Sequence, residues 1–334
     1  MLAEIGLFIL GLVLLTTGAD ALVRGASRLA AHFGMNPLVV GLTVVAFGTS
    51  APELVVSGAA ALREQPGLAV GNVMGSTVAN VGLIVGLGAL VRPIRVQTRL
   101  LALESPLLIL VMATVILLSL NDALGRLDGF FLVTGFLIYL TFLLRWAHRE
   151  GKGRNAATRA DTGAQQESTS ESSPSVGAVR AEGISSGKSS WTDWLRIALG
   201  LGALLVGADW LLDSAVVIAR HFHVPEAVIG ATLVAVGTSL PELASTVAAA
   251  ARRLGDIAIG NIIGSNVFNL GLVLGSASLL KPLHLPPETV IRQVLPALFF
   301  SLLLIPLALT GRRVNRREGA LLLVLYAGFI RWML

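Results

Sequence analysis

GLTVVAFGTSAPEL occupies residues 41–54, and 189 positions later GATLVAVGTSLPEL occupies residues 230–243. The register continues without a gap, so that GNVMGSTVANVGLIVG at 71–86 falls on GNIIGSNVFNLGLVLG at 260–275. From Gly41/Gly230 to Pro93/Pro282, 26 of 53 aligned pairs are identical. Two unrelated apolar helices would agree in Leu, Val and Ala. These matches include Gly, Thr, Ser, Pro, Glu and Asn, so the chain carries an internal duplication, and GAD at 18–20 recurring at 207–209 extends it towards the N-terminal side.

The surroundings of the repeat are those of a membrane protein. Of 334 residues, 54% are hydrophobic and 13% charged, with mean hydropathy +0.78, against roughly 25% charged in soluble domains. Apolar stretches long enough to cross ~30 Å of hydrocarbon fall at about 2–23, 38–62, 68–91, 101–120 and 128–146, then at 194–219, 226–250, 257–280, 290–310 and 318–334. The first has an acidic start and a long apolar run, and reads as a mature helix rather than a cleaved signal peptide. Residues 147–192 are rich in Ser, Gly, Ala and charge, with almost no large apolar side chains; such a segment cannot offset its ordering entropy and is expected to be a disordered cytoplasmic linker. The chain therefore divides into a first unit at 1–146, a linker at 147–192 and a second unit at 193–334. Five spans per unit, an odd number, reverse the second copy across the membrane. The expected fold is an all-α integral membrane protein of ten transmembrane helices, arranged as two inverted five-helix repeats.

The charge pattern orients it. Ten spans leave both termini on one side, and 19 of the 25 Lys and Arg residues fall on the other, including Arg24, Arg28, Arg92, Arg95, Arg99, Arg252 and Arg253. The positive-inside rule makes that side cytoplasmic, with both termini outside and the protein in the cell membrane. The net charge of +5 is thus accounted for by orientation in a lipid bilayer, and nucleic acid is not an expected partner. With no cysteine, thiolate metal sites and cysteine nucleophiles are excluded; His32, His148, His221, His223 and His284 all lie outside the apolar cores of the spans. An intramembrane hydrolase would need an activated base beside a nucleophile. Ser50 and Ser239 have no intramembrane His or Lys to serve as one.

Glu53 and Glu242 lie in the middle of spans 2 and 7, where a carboxylate is costly and by default functional. Pro52 and Pro241 precede them. Each proline removes an N–H and crowds the carbonyl four residues back, at Gly48 and Gly237, so the helices are expected to kink and open around 46–49 and 235–238. Carbonyl, hydroxyl and carboxylate oxygens then converge, which is a donor set for hard cations such as Ca²⁺ and Na⁺. In spans 3 and 8, Asn72, Ser76 and Asn80, like Asn261, Ser265 and Asn269, recur every four residues and line one helical face. The glycine pairs Gly71/Gly75, Gly82/Gly86, Gly260/Gly264 and Gly271/Gly275 read as packing surfaces. Asp20 and Asp209, near the ends of spans 1 and 6, point to interfacial anchoring or ion pairing.

The pair GTSAPE/GTSLPE with GNVMGSTVAN/GNIIGSNVFN resembles the two α-repeats of the calcium/cation antiporter superfamily, the sodium/calcium exchanger family, and most closely its short prokaryotic members. The resemblance implies central Ca²⁺ carboxylates at Glu53 and Glu242, assisted by the backbone carbonyls of Thr49 and Thr238. It implies flanking Na⁺ sites at Ser50, Ser76, Ser239 and Ser265 with the carbonyls of Ala46 and Ala235. Asn80 matches the family's polar residue in the third helix, and Asn269 stands where some members carry Asp. The expected activity is Ca²⁺/Na⁺ antiport without a cofactor. H⁺/Ca²⁺ or K⁺-dependent exchange is the near alternative, and a cation channel the alternative of a different class.

Overall fold

The computed structural model describes residues 2–165, 191–222, 235–309 and 311–333. Within them, α1 (Leu2–Phe33) is followed by α2 (Pro37–Thr49) and α3 (Ala51–Leu62), then α4 (Pro66–Val91), α5 (Ala102–Asn121) and α6 (Arg126–Gln165). The second half contributes α7 (Trp191–His221), α8 (Ala235–Gly237), α9 (Leu240–Ala251), α10 (Gly255–Leu280), α11 (Pro287–Leu307) and α12 (Arg316–Met333). Seven of these helices are long and apolar enough to cross a membrane, and the bent pair α2–α3 makes an eighth candidate. The protein is thus an all-α membrane protein of seven to eight such spans among the described residues. Helix α12 falls short of that measure because Arg316, Arg317, Glu318 and Arg331 sit within its 18 residues.

Burial sorts the helices into a centre and a rim. The most apolar windows of α4 and α10 are 78% and 94% buried, whereas those of the other long helices are only 22–33% buried. The rim instead exposes Leu110, Leu117, Phe131, Ile138 and Phe142, as expected of side chains that meet lipid rather than water. Helices α1 and α7 cross antiparallel: Gly11 faces Gly207 and Leu211, Gly18 faces Gly200 and Leu204, and Gly25 faces Asp193 and Ile197. The approach needs glycine. A Cβ on Gly18 would lie 2.5 Å from the Leu204 backbone nitrogen, so van der Waals packing replaces the hydrophobic drive that lipid cannot supply.

The connections obey the same internal symmetry. Strand β1 (Ile94–Arg95) pairs antiparallel with β4 (Arg313–Val314), and β2 (Ala123–Leu124) with β3 (Leu283–His284). Ile94 opposes Val314 and Leu124 opposes Leu283; the repeat offset carries Ile94 onto Leu283 and Leu124 onto Arg313, one residue short of Val314. Five-residue-turn segments also recur, at Asn80–Val85 and Asn269–Val273 and again at Leu100–Glu104 and Val290–Val294. Such π-bulges cluster at functional sites.

One expectation changes. Residues 147–165 are helical, continuing α6 to Gln165, and residues 191–192 open α7, so neither belongs to an unstructured linker. The physical reason lies in Arg, Glu, Lys, Ala and Gln, good helix formers that prolong a helix already nucleated by the apolar span before them. Of the linker, residues 166–190 lie outside the described residues. The expected kink of span 2 is present, with α2 and α3 meeting at 46°. In span 7 only the part from Ala235 onward can be compared, since residues 223–234 also lie outside the described residues.

Candidate cation site

Proline places both glutamates. Pro52 and Pro241 sit in the first turn of α3 and α9, where a missing N–H costs nothing, while Gly48 and Gly237 lose the donor that would have come four residues on. The chain breaks at Ser50, with φ −86° and ψ 7°, and in the same conformation at Ser239, with φ −90° and ψ 6°. Glu53 and Glu242 thereby occupy first turns of α3 and α9, where the helix dipole favours negative charge.

Both carboxylates are fully buried, as are Ser50, Ser265 and Asn269, with Ser76 and Ser239 nearly so. The serines cross-link the two halves. Ser50 Oγ donates to Glu242 Oε1 at 2.9 Å, and Ser239 Oγ to Glu53 Oε1 at 3.5 Å. Ser76 Oγ donates to Glu53 Oε1 at 3.2 Å and Ser265 Oγ to Glu242 Oε1 at 3.4 Å. All four hydroxyls thus address Oε1, Ser239 sharing its one proton with Ser76 Oγ at 3.1 Å. The second oxygen of each glutamate, Oε2, is buried and has no hydrogen-bond partner among the described residues. An orphaned buried carboxylate oxygen is expensive unless a cation or proton meets it.

A second ring braces the first. Thr49 Oγ1 donates to Asn261 Oδ1 at 3.2 Å and Thr238 Oγ1 to Asn72 Oδ1, also at 3.2 Å. Asn72 Nδ2 donates to Ser57 Oγ at 2.9 Å and to the Glu53 carbonyl at 3.3 Å; Asn261 Nδ2 donates to Thr246 Oγ1 at 3.1 Å and to Ser245 Oγ at 3.0 Å. The amide row read from the sequence thus contains braces as well as candidate ligands. Ser57 and Thr246 escape that reading, although both stand four residues after a glutamate and on its helical face.

The symmetry also fails around Asn80 and Asn269. Asn80 Nδ2 donates to Asn266 Oδ1 at 2.8 Å, but the repeat mate of Asn266 is Thr77, whose hydroxyl is spent on the Val73 carbonyl. Asn269 is left with both amide atoms buried and unpartnered among the described residues, and Asn80 keeps a free Oδ1. The Ala46 carbonyl already accepts from the Ser50 N–H at 3.0 Å and weakly from Thr49 Oγ1 at 3.4 Å, so it serves an ion only by giving up a bond. Ala235 opens α8. No group of three His, Asp or Glu side chains forms among the described residues; the donors are two carboxylates, hydroxyls and amides, a set for hard cations.

A cavity of about 380 Å³ lies beside this cluster, lined by the prolines that precede both glutamates. It is lined by α3, through Ala51, Pro52 and Val55, by α7, through Leu205 and Asp209, and by Thr238 and Pro241.

Comparison with known proteins bears on this geometry. Residues 3–145 and 192–334 match the family model described as sodium/calcium exchanger protein. The chain belongs to the sodium/calcium exchanger family. Among relatives of this exchanger, the sodium/calcium exchanger MaX1 of Methanosarcina acetivorans is 34% identical over 97% of this chain and 96% of its own length. The putative antiporter CaxA of Alkalimonas amylolytica is 37% identical over 96% of this chain and 95% of its own. The solved structure of the sodium-calcium exchanger NCX_Mj soaked with 2.5 mM Na⁺ and 0.1 mM Ca²⁺ superposes with TM-score 0.79 at 33% identity, covering 99% of this chain and 98% of that one. The exchanger is accordingly a transmembrane cation antiporter of a Ca²⁺- and Na⁺-transporting family, and not an enzyme.

Proposed function

We propose that this exchanger moves Ca²⁺ against Na⁺ by exposing one site, built on Glu53 and Glu242 at mid-membrane, alternately to the two sides. The observation that carries the reading is the cross-linked carboxylate pair, in which each glutamate is held through Oε1 by serines of both halves and leaves Oε2 unsatisfied. Two carboxylates at low dielectric are balanced by one divalent ion or by several monovalent ones. Competition for the shared oxygens couples the two fluxes. Thr49 and Thr238 would add their carbonyls to a Ca²⁺ shell that asks for six to eight oxygens. Ser50, Ser76, Ser239 and Ser265, with the Ala46 and Ala235 carbonyls and the amides of Asn80 and Asn269, would serve Na⁺ or steady the carboxylates.

The two five-helix units, 1–146 and 193–334, are inverted copies within ten spans. The antiparallel crossing of α1 and α7 supports this, because Gly18 and Gly207 are equivalent in the repeat and face each other's helix in opposite directions. Both termini lie outside, and the α3–α7 cavity then opens outward. A channel would need a path from both sides; a cavity walled by α3 and α7, set against a packed α1–α9 contact, favours alternating access. Uptake of ⁴⁵Ca²⁺ into proteoliposomes under separately imposed Na⁺, K⁺ and H⁺ gradients tests the reading. Concentrative uptake driven by outward Na⁺ gradients alone is expected. Uptake that follows only H⁺, or that never exceeds equilibrium, would contradict it.

A further inference from the structure

The two ends of the α1–α7 pair carry charges that the repeat makes equivalent but that the structure treats differently. At one end Asp20 forms ion pairs with Arg24, four residues on in α1, and with Arg252, which caps α9. The offset of 189 carries Asp20, Arg24 and Arg252 onto Asp209, Asp213 and Arg63. Arg63 caps α3 as Arg252 caps α9. Yet Asp209, Asp213 and Arg63 make no ion pair among the described residues, and the cavity of about 380 Å³ lies between the helices that bear them, with Asp209 in its wall. The neighbouring carboxylate Glu64 is no substitute partner for Arg63, because Lys281 Nζ holds it at 2.7 Å and draws its carboxyl below the usual range.

We propose that Arg63, Asp209 and Asp213 are a second latch, closed when the first is open. The logic is one acid between two bases at one end and one base between two acids at the other, so each triad can be satisfied by the same helix-to-cap contact. In the present state α1 lies against α9 and the Asp20 latch is shut. A shift of α1 and α7 relative to α3 and α9 would part Asp20 from Arg252 while bringing Asp209 and Asp213 over Arg63, closing the cavity. Partly exposed ion pairs are individually weak, which suits a device that must release on every cycle. The inference rests on the exchanger reading above and adds to it the residues that hold each end shut.

The native chain is free of cysteine, so side-specific thiol labelling tests it directly. Val55→Cys reports on the cavity, whose wall Val55 lines; Ala244→Cys reports on the equivalent position of the other end. In proteoliposomes the ratio of Val55→Cys to Ala244→Cys labelling by an impermeant maleimide, each applied from its own side, should fall about two- to fivefold with Arg252→Gln and rise by a similar factor with Arg63→Gln. Asp20→Asn must move the ratio as Arg252→Gln does, and Arg63→Lys must restore it. Ratios that do not change, or that shift in the same direction for both arginines, overturn the latch. Sodium-driven ⁴⁵Ca²⁺ uptake by the unmutated chain, measured on the same vesicles, separates the two readings: if uptake persists with unshifted ratios, only the latch fails, and if ratios shift without coupled uptake, only the exchanger reading fails.

Discussion

Ser50 sits three residues from Glu53 yet donates to Glu242, and Ser239 stands three residues from Glu242 yet donates to Glu53. The exchange of partners makes the two carboxylates one unit, and it separates side chains that brace the unit from side chains left open. Asn261 is a brace. Asn261→Ala would strip Thr246 Oγ1 of its partner among the described residues and leave Thr49 Oγ1 only the weak 3.4 Å bond to the Ala46 carbonyl, so the detergent-solubilised variant should lose about 1–3 kcal/mol, read as a lower unfolding midpoint. Asn269 is open: its buried amide has no partner among the described residues. Replacing an unsatisfied polar group by an apolar one of similar volume is nearly neutral. Asn269→Leu should therefore unfold at the parent's midpoint while its apparent affinity for Na⁺ or Ca²⁺ changes; a fall in midpoint as large as that of Asn261→Ala would contradict this division. The sequence displays the glutamates, the serines and the amide rows because polar residues in apolar spans stand out. It hides which amide braces and which stays open, since that depends on Asn266, whose repeat mate is Thr77.

At the scale of elements, the kink before Glu53 is legible because Pro52 can act only in one way, and the 46° bend follows. The extension of α6 to Gln165 is not legible from composition, because a low apolar content argues against a core but not against a helix grown from an adjoining span. The α1–α7 crossing makes a sharp demand. Gly18→Val would drive a branched side chain into the Leu204 backbone; overpacking of this kind costs about 1–3 kcal/mol or more, so the variant should show a lowered unfolding midpoint and reduced membrane yield. Gly6, where an added Cβ would meet no atom within 4 Å, is the matched control and should tolerate Gly6→Val. The segment between α6 and α7 makes no such demand. The family match runs from 3 to 145 and resumes at 192, so deletion of residues 166–188 should leave Na⁺-driven Ca²⁺ uptake at the parent's rate, and lost uptake at normal membrane levels would reveal a coupling role.

For the whole molecule, duplication is the organising fact. The repeat is visible in the sequence because 26 of 53 residues are identical, and the ladders β1–β4 and β2–β3 follow the same offset to within one residue. What no duplicated sequence can display is the breaking of its own symmetry: at one end Asp20 pairs with Arg24 and Arg252, while its mate Asp209 lies in the wall of the α3–α7 cavity. The orientation leads to a labelling prediction, with single cysteines introduced by Ser170→Cys and at the C-terminus reacting from opposite sides of the membrane, the first cytoplasmic; reaction from the same side would reject ten spans.

The central claim is that one glutamate from each half makes a single Ca²⁺ site, and equilibrium ⁴⁵Ca²⁺ binding to the purified exchanger in Na⁺-free buffer tests it most directly. The account predicts one ion per unmutated chain and at least about a hundredfold weaker binding for Glu53→Gln and Glu242→Gln alike, because removing either carboxylate halves the charge that replaces the ion's water. Two ions per unmutated chain, with one retained at parental affinity in each variant, would show two independent sites and contradict it.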